Sequence, residues 1–464
     1  MKLEGRLARL CGYGMTAAAD AHLFQPTCED DFRALLRLAR LTSRKVLLRG
    51  AGRSYGDAAI LPEAIAVGLE RLNRVLSWDP TTGLLVAEAG VTIGDLWRYT
   101  LQDGWWPPVV SGTMFPTLGG AIAMNIHGKN AFRAGTIGEH LEWLDVMDSS
   151  GAVHRLTPDS AAFRAVVGGA GLTGIIVRAA LRMKRVPSGD LRVYAQAVDS
   201  WDQQFEVFER FAGDADYLVS WVDCFARGKS AGRGLIHAAW YAEGSPATLR
   251  AEHQDLPDTI LGLVPKSVVW RVLKLLNRRA AMRLLNATKY RLGTVIGNGK
   301  TEHQSLVAFS FLLDYVPNWR WAYLPGGFIQ YQSFVPKETA RWVFENQIAL
   351  QQERRLESFL GVLKRHRPDP FLISHGVDGF SLALDFKVTP SNRERLWELA
   401  HEMNELVLEA GGRFYLAKDS TLRPEDLRRW LGPNLEEWRG WRRRFDPDGL
   451  LVSSLGLRTG LIEP

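Results

Sequence analysis

Cysteine is scarce in this sequence: only Cys11, Cys28 and Cys224 occur in 464 residues, and no two form a C-x-x-C pair. Three thiols cannot build a disulfide framework, and without paired thiols neither a redox dithiol nor a metal centre of the zinc-ribbon kind is expected. Such usage suits a reducing compartment. Long apolar runs are missing too. No stretch approaches the ~20 uncharged apolar residues of a membrane span. Glu4, Arg6 and Arg9 break the N-terminal stretch that a signal peptide would need. The expected location is the cytoplasm, with at most peripheral contact with the inner face of a membrane. Repeats, low-complexity tracts and nucleic-acid motifs are also absent. The charge excess is small, 57 Lys+Arg against 51 Asp+Glu, and spread along the chain, so nucleic acid is not an expected partner.

What is present is an ordinary globular composition, 46% apolar and 23% charged, in a chain long enough for about two to four domains. Up to Pro187 the sequence is rich in glycine and alternates short strand-like and helix-like runs. Thr27 and Asp30 stand at a helix start before FRALLRLARL. KVLLR reads as a buried strand leading into RGAGRSYGD, and IAVGL and LLVAEAG as further strands. Thr92 and Asp95 have capping-box spacing, and WLDVMDSSGAVHRL reads as a hairpin turning at Ser149, Ser150 and Gly151. Beyond Pro187, FEVFERFAG, TARWVFENQIALQQER and RERLWELAHEMNELVLEAG have helical period, while YLVSWVDC, GFIQYQSFVP and FSLALDFKV read as strands. The expected class is α+β, with one antiparallel sheet covered by helices in the second part. From about residue 412 a strand, RFYLA, leads into irregular, Arg-rich sequence.

Four glycine-rich segments stand out: RGAGRSYGD, SGTMFPTLGGAI, NIHGKN and VVGGAGLTGII. Glycines let a backbone turn tightly and bring N–H groups close to an anion. Gly169, Gly171 and Gly174 match G-x-G-x-x-G, but IIVRAALRM after them reads as a strand, not the helix a Rossmann site requires. Gly128-Lys129 is followed by Asn130 rather than Ser or Thr, so it is not a Walker A loop. What remains is an extended ligand gripped by several separated loops.

These segments resemble the PCMH-type FAD-binding domain of the vanillyl-alcohol-oxidase superfamily. Within it the chain is most similar to the subgroup that oxidises a polyprenyl-phosphoryl ribose in cell-wall arabinan synthesis. The likeness covers nearly the whole chain. It includes Gly12-Tyr13-Gly14, Trp221-Val222-Asp223, Gln330-Tyr331-Gln332, Tyr415-Leu416-Ala417-Lys418-Asp419-Ser420 and Asp446-Pro447. H-G-K-N and Y-x-A-K-D-S are specific to the subgroup. The resemblance implies an FAD domain over 1–187, an inserted α+β substrate domain over 188–411, and a segment over 412–464 that returns to the FAD domain.

It also implies roles for particular residues. The pyrophosphate loop maps to 48–58, with Arg49, Gly50, Ala51, Gly52, Arg53, Ser54, Tyr55, Gly56 and Asp57 as cofactor contacts. A second set maps to Gly112, Thr117, Leu118, Gly119, Gly120, Met124, Asn125, Ile126 and His127, with Ile175 near the adenine and Tyr415 near the flavin. Covalent members carry a His in the first loop. Arg53 stands there instead, which implies non-covalent FAD. His127 maps close to the reacting carbon, where it would also move protons. Lys418 maps to the face shared by flavin and substrate hydroxyl, where an ammonium stabilises a developing alkoxide. Local alternation along RFYLA sets Tyr415 opposite Lys418 unless the strand ends between them. Tyr55, Lys129, Trp221, Gln330, Gln332 and Lys364 map to the sugar pocket. Two positions depart from the subgroup: its pocket Cys and Asn are Ala383 and Ser381 here.

The implied reaction is oxidation of a secondary alcohol of a sugar, C2 of the ribose, by hydride transfer to the flavin. An NAD-dependent reductase would complete an epimerisation, and quinone or oxygen would reoxidise the cofactor. A soluble alditol or aldonolactone oxidase of the same superfamily is the second reading, and a flavin-binding protein without turnover the third. Finally, the stretch from Ile260 to Arg291 interleaves Leu, Val and Trp270 with eight cations, Lys266, Arg271, Lys274, Arg278, Arg279, Arg283, Lys289 and Arg291. It suits either an anionic lipid surface or a helix pair packing its apolar face on the domain.

Overall fold

A computed structural model describes residues 4–260 and 264–463. Residues 261–263 of the basic stretch lie outside the described residues. Near the N-terminus, strands Arg6–Cys11, Ala18–Phe24, Ile65–Gly68 and Val46–Arg49 form a four-stranded sheet in that order. Its last three strands are parallel, and Val46 and Leu47 are buried as the apolar run requires. The helix Glu29–Leu41 covers this sheet with Phe32, Leu35, Leu36 and Ala39. Its start differs from the expected capping pair: Thr27 is held by Asp31, which accepts from both its N–H and its hydroxyl, not by Asp30. The first glycine loop leaves the C-terminal end of Val46–Arg49.

A second, antiparallel sheet has the order Val75–Asp79, Leu84–Glu88, Ile175–Arg182, Leu141–Met147, Val153–Leu156. Its hairpin turns at Asp148, whose carboxylate accepts from the N–H groups of Ser150 and Ala152. The capping box at Thr92 and Asp95 is present. IIVRAALRM is a strand, as the rejection of a Rossmann site needs.

The largest sheet has eight antiparallel strands. Gly361–His366, Gly379–Lys387 and Phe328–Pro336 lie beside one another, flanked by Tyr217–Val222 and the short Arg413–Phe414. Helices Trp201–Ala212, Lys337–Glu353 and Arg393–Glu409 pack on one face. They meet alternate residues such as Leu363, Leu382 and Leu384. The register pairs Gln330 with Asp385, Gln332 with Ala383 and Lys364 with Ser381, which puts these residues together on the opposite face. That polar face is what the sheet contributes to the site.

After Phe414 the chain is more regular than its Arg-rich sequence implies. Helices Pro424–Leu431 and Pro433–Phe445 bury Leu427, Leu431, Leu435 and Trp438, which stand at helical spacing. Arg428, Arg429, Arg443 and Arg444 lie on their exposed faces, whereas Arg439 and Arg442 turn inward to the carbonyls of Gly460 and Leu451. This segment returns to the first sheet: Leu451 bridges Val46, and Arg458 reaches Asp57.

Candidate active site

The two main glycine loops meet edge to edge. A Cβ on Gly50 would fall 2.3 Å from Thr117 Oγ1, and Gly52 has φ +63°, so both positions need glycine. Thr117 caps the short helix Leu118–Ala123 by accepting from the Gly120 N–H. Around these loops runs a cleft enclosing about 1230 Å³ of empty space, open solvent at its mouth included. Backbone of the glycine loops forms one wall; Lys364, Tyr415, Ala417, Lys418 and His127 form the other. An extended dinucleotide fits such a cradle.

Tyr415 and Lys418 share the cleft because the strand stops at Phe414. The chain then turns, with Lys418 N–H donating to the Tyr415 carbonyl at 3.0 Å, so strand alternation no longer applies. Tyr55 N–H donates to the Ala417 carbonyl at 2.8 Å. This bond fixes the lysine turn to the first glycine loop, and the ammonium lies 5.4 Å from the Tyr55 ring centroid. Burial holds the Lys418 ammonium down from 10.5 to about 8, with the Asp385 carboxylate opposing. Lys364 is pushed well below the usual lysine range by burial and by Lys418 and Lys129.

His127 is 4% exposed. Its ring packs with Phe334, His366, His375 and Tyr415. Burial holds it neutral, reinforced by Lys364, His366, His375 and Lys418. The Gln332 amide nitrogen is 3.3 Å from His127 Nε2 and also donates to Ser381 Oγ. Tyr55 OH, His127 Nδ1 and Gln332 Oε1 are buried without a partner among the described residues, as groups facing a polar ligand would be.

The remaining expected contacts divide. Ala51, Ser54, Gly112, Gly119, Met124 and Ile126 line the cleft with Gly50, Gly52 and Gly120. Arg53 lines it with its guanidinium 4.6 Å from the Phe115 ring centroid. Arg49 borders the cleft, but its guanidinium donates to the carbonyls of Ala59 and Cys11. Five positions stand behind the wall. Gly56 packs against the Asp419 carbonyl, and Asp57 is bound by Arg458. Leu118 is core. Asn125 accepts from the Gly138 N–H. Ile175 faces the core under the first helix, whereas its neighbour Ile176 lines the cleft.

The pocket set is likewise split. Lys129 turns its ammonium to the Phe309 carbonyl, and burial lowers it to about 7. Trp221 carries the Lys289 ammonium 4.4 Å from its ring centroid. Gln330 donates to Asp385, which is 1% exposed. Burial raises that carboxyl to about 6, while Gln330 and Lys418 oppose the rise. Asp385, His366 and His375 were not expected at the site. They come from separate strands and loops, and only the register Gln330–Asp385 in two adjacent strands would have signalled the first.

Comparisons with known proteins point to an FAD site as well. The family model for an FAD binding domain matches residues 21–157, and the model for D-arabinono-1,4-lactone oxidase matches 387–458. A decaprenylphosphoryl-beta-D-ribose oxidase of Mycolicibacterium smegmatis is 33% identical over 98% of both chains. A D-arabinono-1,4-lactone oxidase of Yarrowia lipolytica is 22% identical over 93% of this chain and 92% of its own. Cytokinin dehydrogenase 10 of Oryza sativa is 31% identical over 36% of this chain and 32% of its own. Fold, cleft and matches together define an FAD-dependent oxidoreductase. Within that class, the chain belongs to the decaprenylphosphoryl-beta-D-ribose oxidase family.

Proposed function

We propose that the chain oxidises C2 of a polyprenyl-phosphoryl ribose to the ketone, the first half of an epimerisation to arabinose. The observation that carries this reading is the pair of buried lysines, Lys364 and Lys418, lining one cleft with His127 and the glycine loops. The name of the mycobacterial relative supports the substrate. An NAD-dependent reductase partner and peripheral membrane contact go with a lipid-linked intermediate.

FAD, when bound along the glycine loops, accepts the two electrons of the oxidation. The protein handles the oxygen and its proton. The Lys418 ammonium stabilises negative charge on the carbinol oxygen as its proton leaves. With the Gln332 amide donating to Nε2, the neutral His127 ring carries its proton on Nδ1, a second donor for that oxygen. Burial and the neighbouring Lys418 and Lys129 disfavour the charged form of Lys364, which suits its Nζ to receive the proton. Asp385 sets the charge of Lys418 from behind the wall. Ser381 and Ala383 adjust the fit of the sugar.

Anaerobic mixing with a panel of lipid-linked and free sugars tests the reading. Rapid bleaching by polyprenyl-phosphoryl ribose is expected. Bleaching by aldonolactones alone would favour the lactone-oxidase reading, to which the match over 387–458 lends its support. The charge of Lys418 gives a pH signature. Its pKa in the protein is about 8, so the stabilising ammonium is present below pH 8 and lost above it. The bleaching rate therefore falls up to about tenfold per pH unit above pH 8, and Lys418→Arg flattens the fall because a guanidinium stays charged. FAD is bound non-covalently, since Arg53 replaces the linking His. Acid precipitation should leave yellow flavin in the supernatant; colour retained in the pellet would contradict this.

A further inference from the structure

The helices Lys266–Leu276 and Arg279–Leu292 carry their apolar stripes on the wrong side for a globular protein. In the first, Val272, Leu275 and Leu276 are exposed, Leu275 by 72%. In the second, Leu284, Leu285 and Leu292 are exposed, Leu284 by 70%, and the stripe runs on into Val295 and Ile296. Spacings of three, four and seven residues put each set on one helix face. Nine of the 17 exposed large apolar side chains among the described residues fall within 264–296.

The inner faces are already anchored on the domain, Leu273 packing beside Tyr323 and Phe328. Asn286 is buried, and Lys289 lies over Trp221. Trp270 packs on Trp321, and Asn277 donates to the Ala322 carbonyl. Arg279 pairs with Glu357. The helix pair thus does pack apolar side chains on the domain, through Trp270 and Leu273, and carries a second apolar face outward. From Asp258 to Glu302 there is no acidic residue between these two, against nine Lys or Arg. Arg271, Lys274, Arg278, Arg283 and Arg291 are exposed beside the stripes.

We propose that this outward face inserts its Leu side chains into the interface of an anionic bilayer, with the flanking cations on the headgroups. Charge complementarity selects the occupant: an acid-free apolar face ringed by cations suits anionic lipid. This deepens the reading of a lipid-linked substrate, on which only its purpose rests. The inner edge of the same helix pair reaches Trp221 on the site-facing side of the large sheet.

Sedimentation of the FAD-loaded protein with phosphatidylcholine vesicles, with and without phosphatidylglycerol, tests it without any substrate. Binding to the anionic vesicles is expected, and part of it should survive ~1 M salt, where the screening length is only ~3 Å. The triple variant Leu275→Gln, Leu284→Gln, Leu285→Gln should bind about tenfold or more weakly, with unchanged flavin content and melting temperature. No wild-type binding, or equal binding by the variant, would overturn the proposal. So would a wild-type dimer that the variant converts to monomer in the absence of lipid, since the face would then join two copies of the chain. A protein that binds vesicles yet is not bleached by lipid-linked ribose would sink the substrate reading alone.

Discussion

Lys418→Ala keeps its FAD and melts near the wild-type temperature, but its flavin is reduced by substrate about a hundredfold or more slowly. The side chain projects from a turn after Phe414 into the cleft, not into a core. Its ammonium is desolvated, and burial already disfavours its charge, so its loss takes away no large stabilising term. On the proposed mechanism, what is lost is a positive charge beside the carbinol oxygen as it becomes negative. Removing such a preorganised stabiliser costs about 3 kcal/mol in the transition state, which is a factor of a hundred or more in rate. Single-turnover absorbance at the flavin band measures it. Wild-type reduction with FAD bound would leave Lys418 a packing residue and shift the chemical role to His127.

Arg458→Met acts on the fold instead, lowering stability by roughly 3 kcal/mol. Arg458 donates to both oxygens of Asp57 and to Asp419 Oδ2 at 2.8–2.9 Å. Both carboxylates are largely buried, with side-chain exposures of 15% and 5%, and the variant leaves them facing each other without a cation. Since Asp57 ends the first glycine loop and Asp419 follows Lys418, the damage extends to the cleft. Urea denaturation should give a lower midpoint, and FAD affinity should drop with it. A midpoint equal to wild type would show the triad to be no more than a solvated contact.

Features encoded over a few residues were legible in the sequence. The Thr92–Asp95 box, the hairpin at Asp148 and the glycine loops each depend on neighbours in the chain, and each is found. The α+β class followed from period and glycine density. The site was only partly legible. Lys418 and His127 were reached through the resemblance of their motifs, because a Lys after a strand looks like any solvated Lys. Asp57 was expected at the cofactor, but it is taken by Arg458, 401 residues away, a pairing that no local pattern encodes. Ile175 and Ile176 exchanged places because strand register, not composition, decides which of two adjacent Ile side chains meets the cleft. Asp385 and the rings of His366 and His375 come together only when the large sheet forms. The amphipathy of 266–292 was visible too, while its direction, outward, depends on what the other face packs against.

The most direct measurement is anaerobic single-turnover reduction of the FAD-loaded protein by polyprenyl-phosphoryl ribose carrying deuterium at C2. Flavin absorbance should bleach in both cases, several-fold more slowly with the label, because the C2–H bond breaks in the observed step. No bleaching, or slowing only when the label is on another ribose carbon, would contradict oxidation at C2.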